Sequence, residues 1–387
     1  EVTHHDVIDF ADIAYFDPVG TGYGRPLEGT DENHFYGVQK GAQVATVFTK
    51  WIQHTFFHKK RVILAGSSYG AMQMTAMADM ISEEGDIELA GIVSISGAYD
   101  YNHLIPNQNS PKHSALLGAC NLPSYAWLAY HHAETYDLDN GYYRGYPAAD
   151  YEGCYEDARD FAYQQYANAV LDDRDLMSWQ QRYISKLTGL SLETLQRDNF
   201  AVPRSIFAAK LLSKSGLIMS SVDAYYTYPA STHFTIDPLL DALQAKRREH
   251  TRNQFWMISQ PPDEYIFNRS VYAQWPFEGE WQARTAKPVM QRLLTRLPDL
   301  PVIECNGDSD LLSNKEIRSL FWANTLPEIG WDTQSLEAPF NGPYSTPAPK
   351  TITRYNMSLM GHQPGIVPFG STAFSMILQS IIEKTHT

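Results

Sequence analysis

Cysteine is scarce: the thiols are Cys120, Cys154 and Cys305, in 387 residues. An odd count cannot pair completely within one chain, which excludes a disulfide scaffold. A single Cys120–Cys154 bridge and free buried thiols are both compatible with the count. No CxxC, no Cys/His zinc spacing and no HExxH occurs. The neighbouring pairs His4-His5 and His131-His132 turn their rings apart, so neither a metal nor a cofactor is expected. Basic residues are in the minority, 30 Lys and Arg against 44 Asp and Glu, for a net charge of −14. Nucleic acid is therefore not an expected partner, and the acidic balance otherwise speaks only for solubility. No apolar run approaches the roughly 18 residues of a membrane span; residues 374–382, the greasiest stretch near the C-terminus, fall far short. Low-complexity tracts and internal repeats are absent. With 43% apolar and 19% charged residues, the chain is neither disordered nor a coiled coil. Its first residue is Glu1, and no basic segment with an apolar stretch follows, so a processed chain or an excised fragment is expected.

What is present is an alternation of texture. Residues 1–100 place a strand at 12–16, ended by Pro18, Gly20, Gly22 and Gly24. A helix over 35–57 follows, with Val38, Ala42, Ala45, Phe48 and Ile52 at helical spacing. A strand at 61–65, a helix over 69–81 and a strand at 89–95 complete the run. This order implies a parallel sheet covered on both faces. Residues 106–289 lose the alternation and are rich in Tyr, with helical patterns at 158–169, 192–197 and 203–212. Ser191 is a fair N-cap there, with Glu193 in the first turn. Alternation returns with a strand at 301–304, a helix over 315–323, a strand at 351–355 and a helix over 371–383, which sets Phe374, Ile377 and Ile381 on one face. Residues 339–349, with Gly342, Pro343 and Pro347, read as a surface loop. The expected fold class is α/β, a mostly parallel sheet in a core of residues 1–105 and 290–387, with residues 106–289 as a helical cap insertion.

The sharpest chemical feature is Gly66-Ser67-Ser68-Tyr69-Gly70, between a strand and a helix. That is the context of a nucleophile elbow, where a tight turn lifts a serine oxygen off the sheet. Flanking glycines leave room for the strained turn. The helix N-terminus then faces a developing oxyanion, and the Tyr69 N–H can donate to it. A serine needs a base and an orienting acid, which follow later strands in the order Ser, Asp, His. The strand at 301–304 leads into Asn306-Gly307-Asp308-Ser309-Asp310, and the strand at 351–355 into Gly361-His362. Both lie beyond the carboxyl ends of strands, where sites of open α/β folds assemble. His362 is expected to take the serine proton, and Asp310 to hold the imidazole. Asp308 is expected to serve the turn. Gly20-Thr21-Gly22-Tyr23-Gly24 looks like part of a dinucleotide loop, but Arg25-Pro26 follows rather than a helix, so it reads as a turn. Tyr142-Tyr143 and Tyr225-Tyr226 read as packing before pocket lining.

Four motifs taken together resemble the serine carboxypeptidases: Asp17-Pro18-Val19-Gly20-Thr21-Gly22-Tyr23, Gly66-Ser67-Ser68-Tyr69-Gly70, Gly307-Asp308-Ser309-Asp310 with Asn314, and Gly361-His362. Their order and spacing match over nearly the whole chain. Leu122-Pro123-Ser124-Tyr125-Ala126 and Thr188-Gly189-Leu190-Ser191 resemble the helical cap of bacterial members. The resemblance implies an α/β-hydrolase fold, the triad Ser68, Asp310 and His362, and an oxyanion N–H at Tyr69. It implies substrate-binding positions at Ser67 and Asn314, and a secreted or periplasmic location. Three departures stand out. The family's earlier Asn-Gly-Gly-Pro-Gly turn, which brings a second oxyanion donor, is not found, so a separate N-terminal fragment completing the core is an expected partner. Ser67 stands where the family usually has Glu, so a neutral hydroxyl replaces an acid that helps bind the peptide C-terminus. His362 is followed by Gln363-Pro364-Gly365-Ile366-Val367-Pro368, a longer path to the proline than is common. The expected substrate is a peptide cleaved near its C-terminus. The alternatives are an ester substrate, for an esterase or acyltransferase on the same triad, and a non-catalytic binding chain that lost its oxyanion segment.

Overall fold

The structure is a computed structural model describing residues 10–58, 61–103, 111–141, 151–232, 237–239, 269–314 and 352–357, with single positions 242, 245, 316, 317, 321 and 322. Helix α1 (Val38–Ile52) buries Val38, Ala42 and Ala45 along one side, then widens into a π-helical turn, Gln53–Phe57, and stops at the left-handed His58. Strand β1 (Val62–Ser67) runs into α2 (Tyr69–Glu84), which ends at Gly85, φ 69°, where the Gly85 N–H bonds the Ile81 carbonyl. That is the left-handed stop glycine supplies without Cβ strain. Strand β2 (Leu89–Ile95) lies parallel to β1, with Leu64 beside Ile92 and Ser67 beside Ile95.

The strand expected at 12–16 does not form. Ile13 and Tyr15 are 44% and 75% exposed, and a run of strand-prone residues makes no strand without a ladder partner. Phe16 docks, its ring 5.1 Å from Phe48. The Gly-rich stretch after it is a turn, as its sequence implies. Asp17 Oδ2 accepts the Tyr23 N–H at 3.0 Å, and the Gly20 N–H bonds the Gly24 carbonyl at 3.0 Å.

The insertion is helical. It comprises α3 (Pro111–Ala133), α4 (Tyr151–Phe161) with a π-helical continuation Ala162–Ala167 into α5 (Asn168–Leu171), α6 (Ser178–Thr188), α7 (Leu192–Arg197) and α8 (Arg204–Lys210). Ser191 caps α7 as expected, accepting the Thr194 N–H at 3.2 Å. A short antiparallel pair follows, β3 (Leu217–Met219) and β4 (Thr227–Pro229). The cap has its own core, in which Tyr125 stacks on Phe207 at 3.9 Å, and this core takes in Leu311 and Ile317 from the other side of the chain. Cys120 and Cys154 lie in it as buried thiols with no disulfide between them, so the Cys120–Cys154 bridge is not made. Burial pushes the Cys120 thiol well above its ordinary pKa, as desolvation of a thiolate requires.

His132 is buried in the same region, its Nε2 2.7 Å from the Ala224 carbonyl. Burial pulls its pKa down to about 4 against the weaker upward pull of that carbonyl. The unfolded chain therefore takes up this proton first. Stability is fully present above about pH 6.5 and is lost as the pH falls from there toward about 4, by on the order of 3 kcal/mol. The expected result is a urea midpoint that drops over this window, and a His132→Gln variant in which much of the drop is gone. An unchanged drop would show that other groups carry it.

The chain returns to the sheet through α9 (Arg269–Gln274), α10 (Lys287–Arg296), β5 (Val302–Gly307) and β6 (Ile352–Met357). The described sheet has the order β1-β2-β5-β6, with every neighbouring pair parallel. A second core, with Leu64, Ile92 and Val302 from the sheet, Met72 and Ile81 from α2 and Val289 and Leu293 from α10, covers it. β5 is buried along its whole length, as a strand inside a parallel sheet must be. The fold is α/β, and its strand order sends the carboxyl ends of β1, β5 and β6 to one edge. Residues 316, 317, 321 and 322 are helical, in line with the helix expected over 315–323. The loop at 339–349, the helix at 371–383 and Tyr142-Tyr143 lie outside the described residues.

Candidate active site

Ser68 occupies the turn between β1 and α2 with φ 52° and ψ −120°. A residue with a Cβ adopts that conformation only where its surroundings force it. Here the Ser68 N–H bonds the Ile95 carbonyl at 2.9 Å, and the Ser68 carbonyl accepts the N–H groups of Ala98 at 2.9 Å and Ala71 at 3.0 Å. The turn is thus clamped on both sides. Tyr69 opens the helix, so its N–H has no acceptor within the helix and sits beside the serine. The two glycines of the motif differ. A Cβ on Gly66 would lie 2.3 Å from the Gly70 carbonyl oxygen, whereas one on Gly70 meets nothing within 4 Å. Gly66→Ala is therefore expected to cost at least about 3 kcal/mol and to destroy the elbow. Gly70→Ala should stay within about 1 kcal/mol of the parent. Urea denaturation of the two variants checks this, and equal losses would contradict it.

The acid loop follows β5. Asp310 is 1% exposed, and its Oδ1 accepts the N–H groups of Leu312 at 2.7 Å and Ser313 at 2.9 Å. Asp310 itself therefore caps the turn that Asp308 is expected to serve. Ser313 Oγ donates to the Gly97 carbonyl at 2.8 Å. Because Ala98 also bonds Ser68, one short loop after β2 ties the elbow to the acid loop. The cap holds the other side. Ser309 Oγ donates to Asp223 at 2.6 Å, and the Ala224 N–H bonds the Ser309 carbonyl at 3.2 Å. Tyr225 donates its hydroxyl to Asp308 at 3.1 Å while accepting the Trp127 indole N–H at 2.6 Å. Burial, then the Asp308 charge, push the Tyr225 phenol well up, so it stays a donor.

Other expected positions divide. Ser67 Oγ is buried with no hydrogen-bond partner among the described residues. Asn314 is 3% exposed and has both amide ends engaged: Oδ1 accepts the Ile317 N–H at 3.0 Å, and Nδ2 donates to Asn121 at 2.7 Å. His362 and the residues around it lie outside the described residues. What the backbone places is β6, parallel to β5, ending at Met357 on the edge that carries Ser68 and Asp310.

Sequence reading missed the aromatic wall over the elbow. Tyr69 accepts the Trp275 indole N–H at 2.6 Å with the rings edge to face at 5.5 Å, and Tyr101 lies 6.4 Å from it. Trp275 comes from just beyond α9, some 206 residues away in the chain, and no local pattern signals such a contact.

No protein-family model matches this chain, and no curated protein matches it. Among solved structures it is similar to Kex1(delta)p, a prohormone-processing carboxypeptidase from Saccharomyces cerevisiae. The TM-score is 0.43 and the identity 14%, covering 95% of this chain and 73% of that one. No described helix is long and apolar enough to cross a membrane.

Proposed function

We propose that this chain is a serine hydrolase. The observation that carries the reading is the Ser68 backbone, φ 52° and ψ −120° at a strand-to-helix turn, joined through the 96–98 loop to a buried aspartate. Ser68 Oγ attacks the carbonyl carbon and passes its proton to His362. The negative oxygen faces the Tyr69 N–H at the start of α2. The tetrahedral adduct collapses, the leaving group departs with the proton from His362, and the acyl group stays on Ser68. Water then attacks the ester, gives its proton to His362, and the acid is released as Ser68 recovers its hydrogen. Asp310 keeps the imidazole oriented and stabilises it when charged.

The proposed substrate is a peptide cleaved near its C-terminus, as the motif resemblance implies. Esterase or acyl-transfer chemistry is the second reading, favoured by Ser67, whose neutral hydroxyl cannot share a proton with a peptide carboxylate. A strand bringing a second oxyanion donor is the proposed partner of β1. In the described sheet β1 is an end strand and Ala65 is exposed, unlike the buried β2 and β5.

Intact-mass spectrometry before and after a fluorophosphonate probe tests the reading. One adduct, mapping to Ser68, is expected. A folded sample that takes none overturns the hydrolase and leaves a binding chain.

A further inference from the structure

The loop that joins β3 to β4 meets the acid loop, and its shape is set from within. The Ser220 N–H bonds the Tyr226 carbonyl at 2.8 Å, and the Tyr226 N–H bonds the Asp223 carbonyl at 3.0 Å. Ser220 Oγ accepts the N–H groups of Val222 and Asp223, each at 3.1 Å. Asp223 Oδ1 accepts the Tyr225 N–H at 3.2 Å, an aspartate turn on its own backbone. Helix α3 holds this loop from behind, with His132 Nε2 2.7 Å from the Ala224 carbonyl and the Trp127 indole N–H on the Tyr225 hydroxyl.

Three consecutive residues of this loop then engage two of the acid loop. Tyr225 bonds Asp308, while Asp223 and Ala224 take the side chain and the carbonyl of Ser309. Ser309 directly precedes Asp310 in the chain and is fully buried. Its Oγ donates to Asp223 Oδ1 at 2.6 Å, the length of a hydrogen bond to a charged acceptor, which is about twice as strong as a neutral one. Asp223 is buried too, so bulk water does not replace this bond once it is lost. Farther along, Arg204 holds the Leu312 carbonyl at 3.1 Å and Asn121 holds Asn314 at 2.7 Å. On the sheet side Ser313 holds the Gly97 carbonyl. Asp310 stands between these tethers, and Ser309 is the cap-bound residue next to it.

We propose that Asp223 is a positioning residue for the reaction at Ser68: through Ser309 it fixes the loop that aims Asp310. This rests on the Ser68 hydrolase reading. Asp223 acts on the chemistry through Ser309, and its effect is on alignment. A catalytic group misplaced by about 1 Å costs about 100-fold in rate.

The test measures kcat and KM on a neutral ester, with kcat taken per Ser68 labelled by fluorophosphonate so that any unfolded fraction drops out. In Asp223→Ala kcat is expected to fall by about 100-fold while KM stays within about threefold. Asp223→Asn is the conservative rescue: its amide oxygen can still accept from Ser309 and Tyr225, and kcat should stay within about fivefold of the parent. Ser309→Ala should lower kcat by about tenfold or more, and adding it to Asp223→Ala should cost nothing further, because the two residues act through one bond. A kcat in Asp223→Ala within about threefold of the parent, or single losses that multiply in the double variant, would reduce Asp223 to a structural contact and leave the hydrolase standing. Should Asp223→Ala fail to fold, Ser309→Ala decides alone, and an unchanged kcat there overturns the proposal. A folded parent that takes no adduct overturns the hydrolase reading itself. The clamp is then read without chemistry, by hydrogen exchange at the Leu312 and Ser313 amides that Asp310 Oδ1 accepts. Exchange there should quicken in Asp223→Ala and not in Asp223→Asn, and unchanged exchange in both would show that Asp223 does not place Asp310.

Discussion

Ser68→Ala is expected to abolish the fluorophosphonate adduct and to lower kcat by at least about 10⁴-fold, since in the proposed mechanism Ser68 acts as a unit with its base and its loss removes the whole acyl-enzyme route. The fold should survive. The clamps on this residue are backbone bonds to Ile95, Ala98 and Ala71, and alanine keeps all of them. It also keeps the strain, because φ 52° is as costly for alanine as for serine. Ser68→Gly separates the two properties. Strain at such a position costs about 1–3 kcal/mol, while the extra freedom of glycine in the unfolded chain costs about 0.5–1 kcal/mol. The glycine variant should be equally inactive and more stable by roughly 1 kcal/mol, read as a higher urea midpoint at unchanged slope. A position that gains stability as it loses function is one the fold holds under strain for a purpose. A glycine variant less stable than the alanine one would contradict that account.

The elbow was legible because its constraints are local. A short apolar strand, two glycines and an Ala- and Met-rich helix stand within some twenty residues, and β2 falls at Leu89–Ile95 as its pattern implies. The run at 12–16 shows the limit of such reading: apolar and strand-prone, it joins no ladder among the described strands and stays irregular. Helix α3 escaped for the opposite reason. It is buried on several sides, with Leu116, Ala119, Leu122, Ala126, Leu128 and Tyr130 all nearly inaccessible, so no polar face marks its period. Pro123 inside it argues against a helix on local rules. The site's surroundings were illegible for a third reason. Trp275 meets Tyr69, Tyr225 meets Asp308 and Arg204 meets Leu312 across separations of 206, 83 and 108 residues. Contacts at such range follow from how the cap folds back onto the sheet, which no window of sequence contains. Asn314 shows that a motif residue can be taken up by the fold: the structure engages both ends of its amide in capping and in holding Asn121.

Asp310→Asn is expected to lower kcat by about 10³–10⁴-fold, and Asp308→Asn by less than about tenfold. The two replacements are comparable because each can keep the bonds that its Oδ1 accepts. In Asp310→Asn the amide oxygen, set in the Oδ1 position, still accepts from Leu312 and Ser313. In Asp308→Asn the amide oxygen still accepts from Tyr225. Each change then removes a charge with little loss of shape, and stability should fall by only about 1 kcal/mol, the difference between a charged and a neutral acceptor. The charge matters for catalysis only where it faces the imidazole that must become positive in the transition state. Asp310 is 1% exposed and lies on the hydrogen-bonded path from Ser68 through Ala98, Gly97 and Ser313. Asp308 points to the cap, where Tyr225 already occupies one of its oxygens. Tyr225→Phe adds a control, since it removes the Tyr225 hydroxyl bond to Asp308 without touching either carboxylate. Its effect on kcat should be no larger than that of Asp308→Asn. A greater loss in Asp308→Asn than in Asp310→Asn, measured on a neutral ester so that substrate charge plays no part, would move the acid to Asp308 and leave Asp310 as the cap of its own turn.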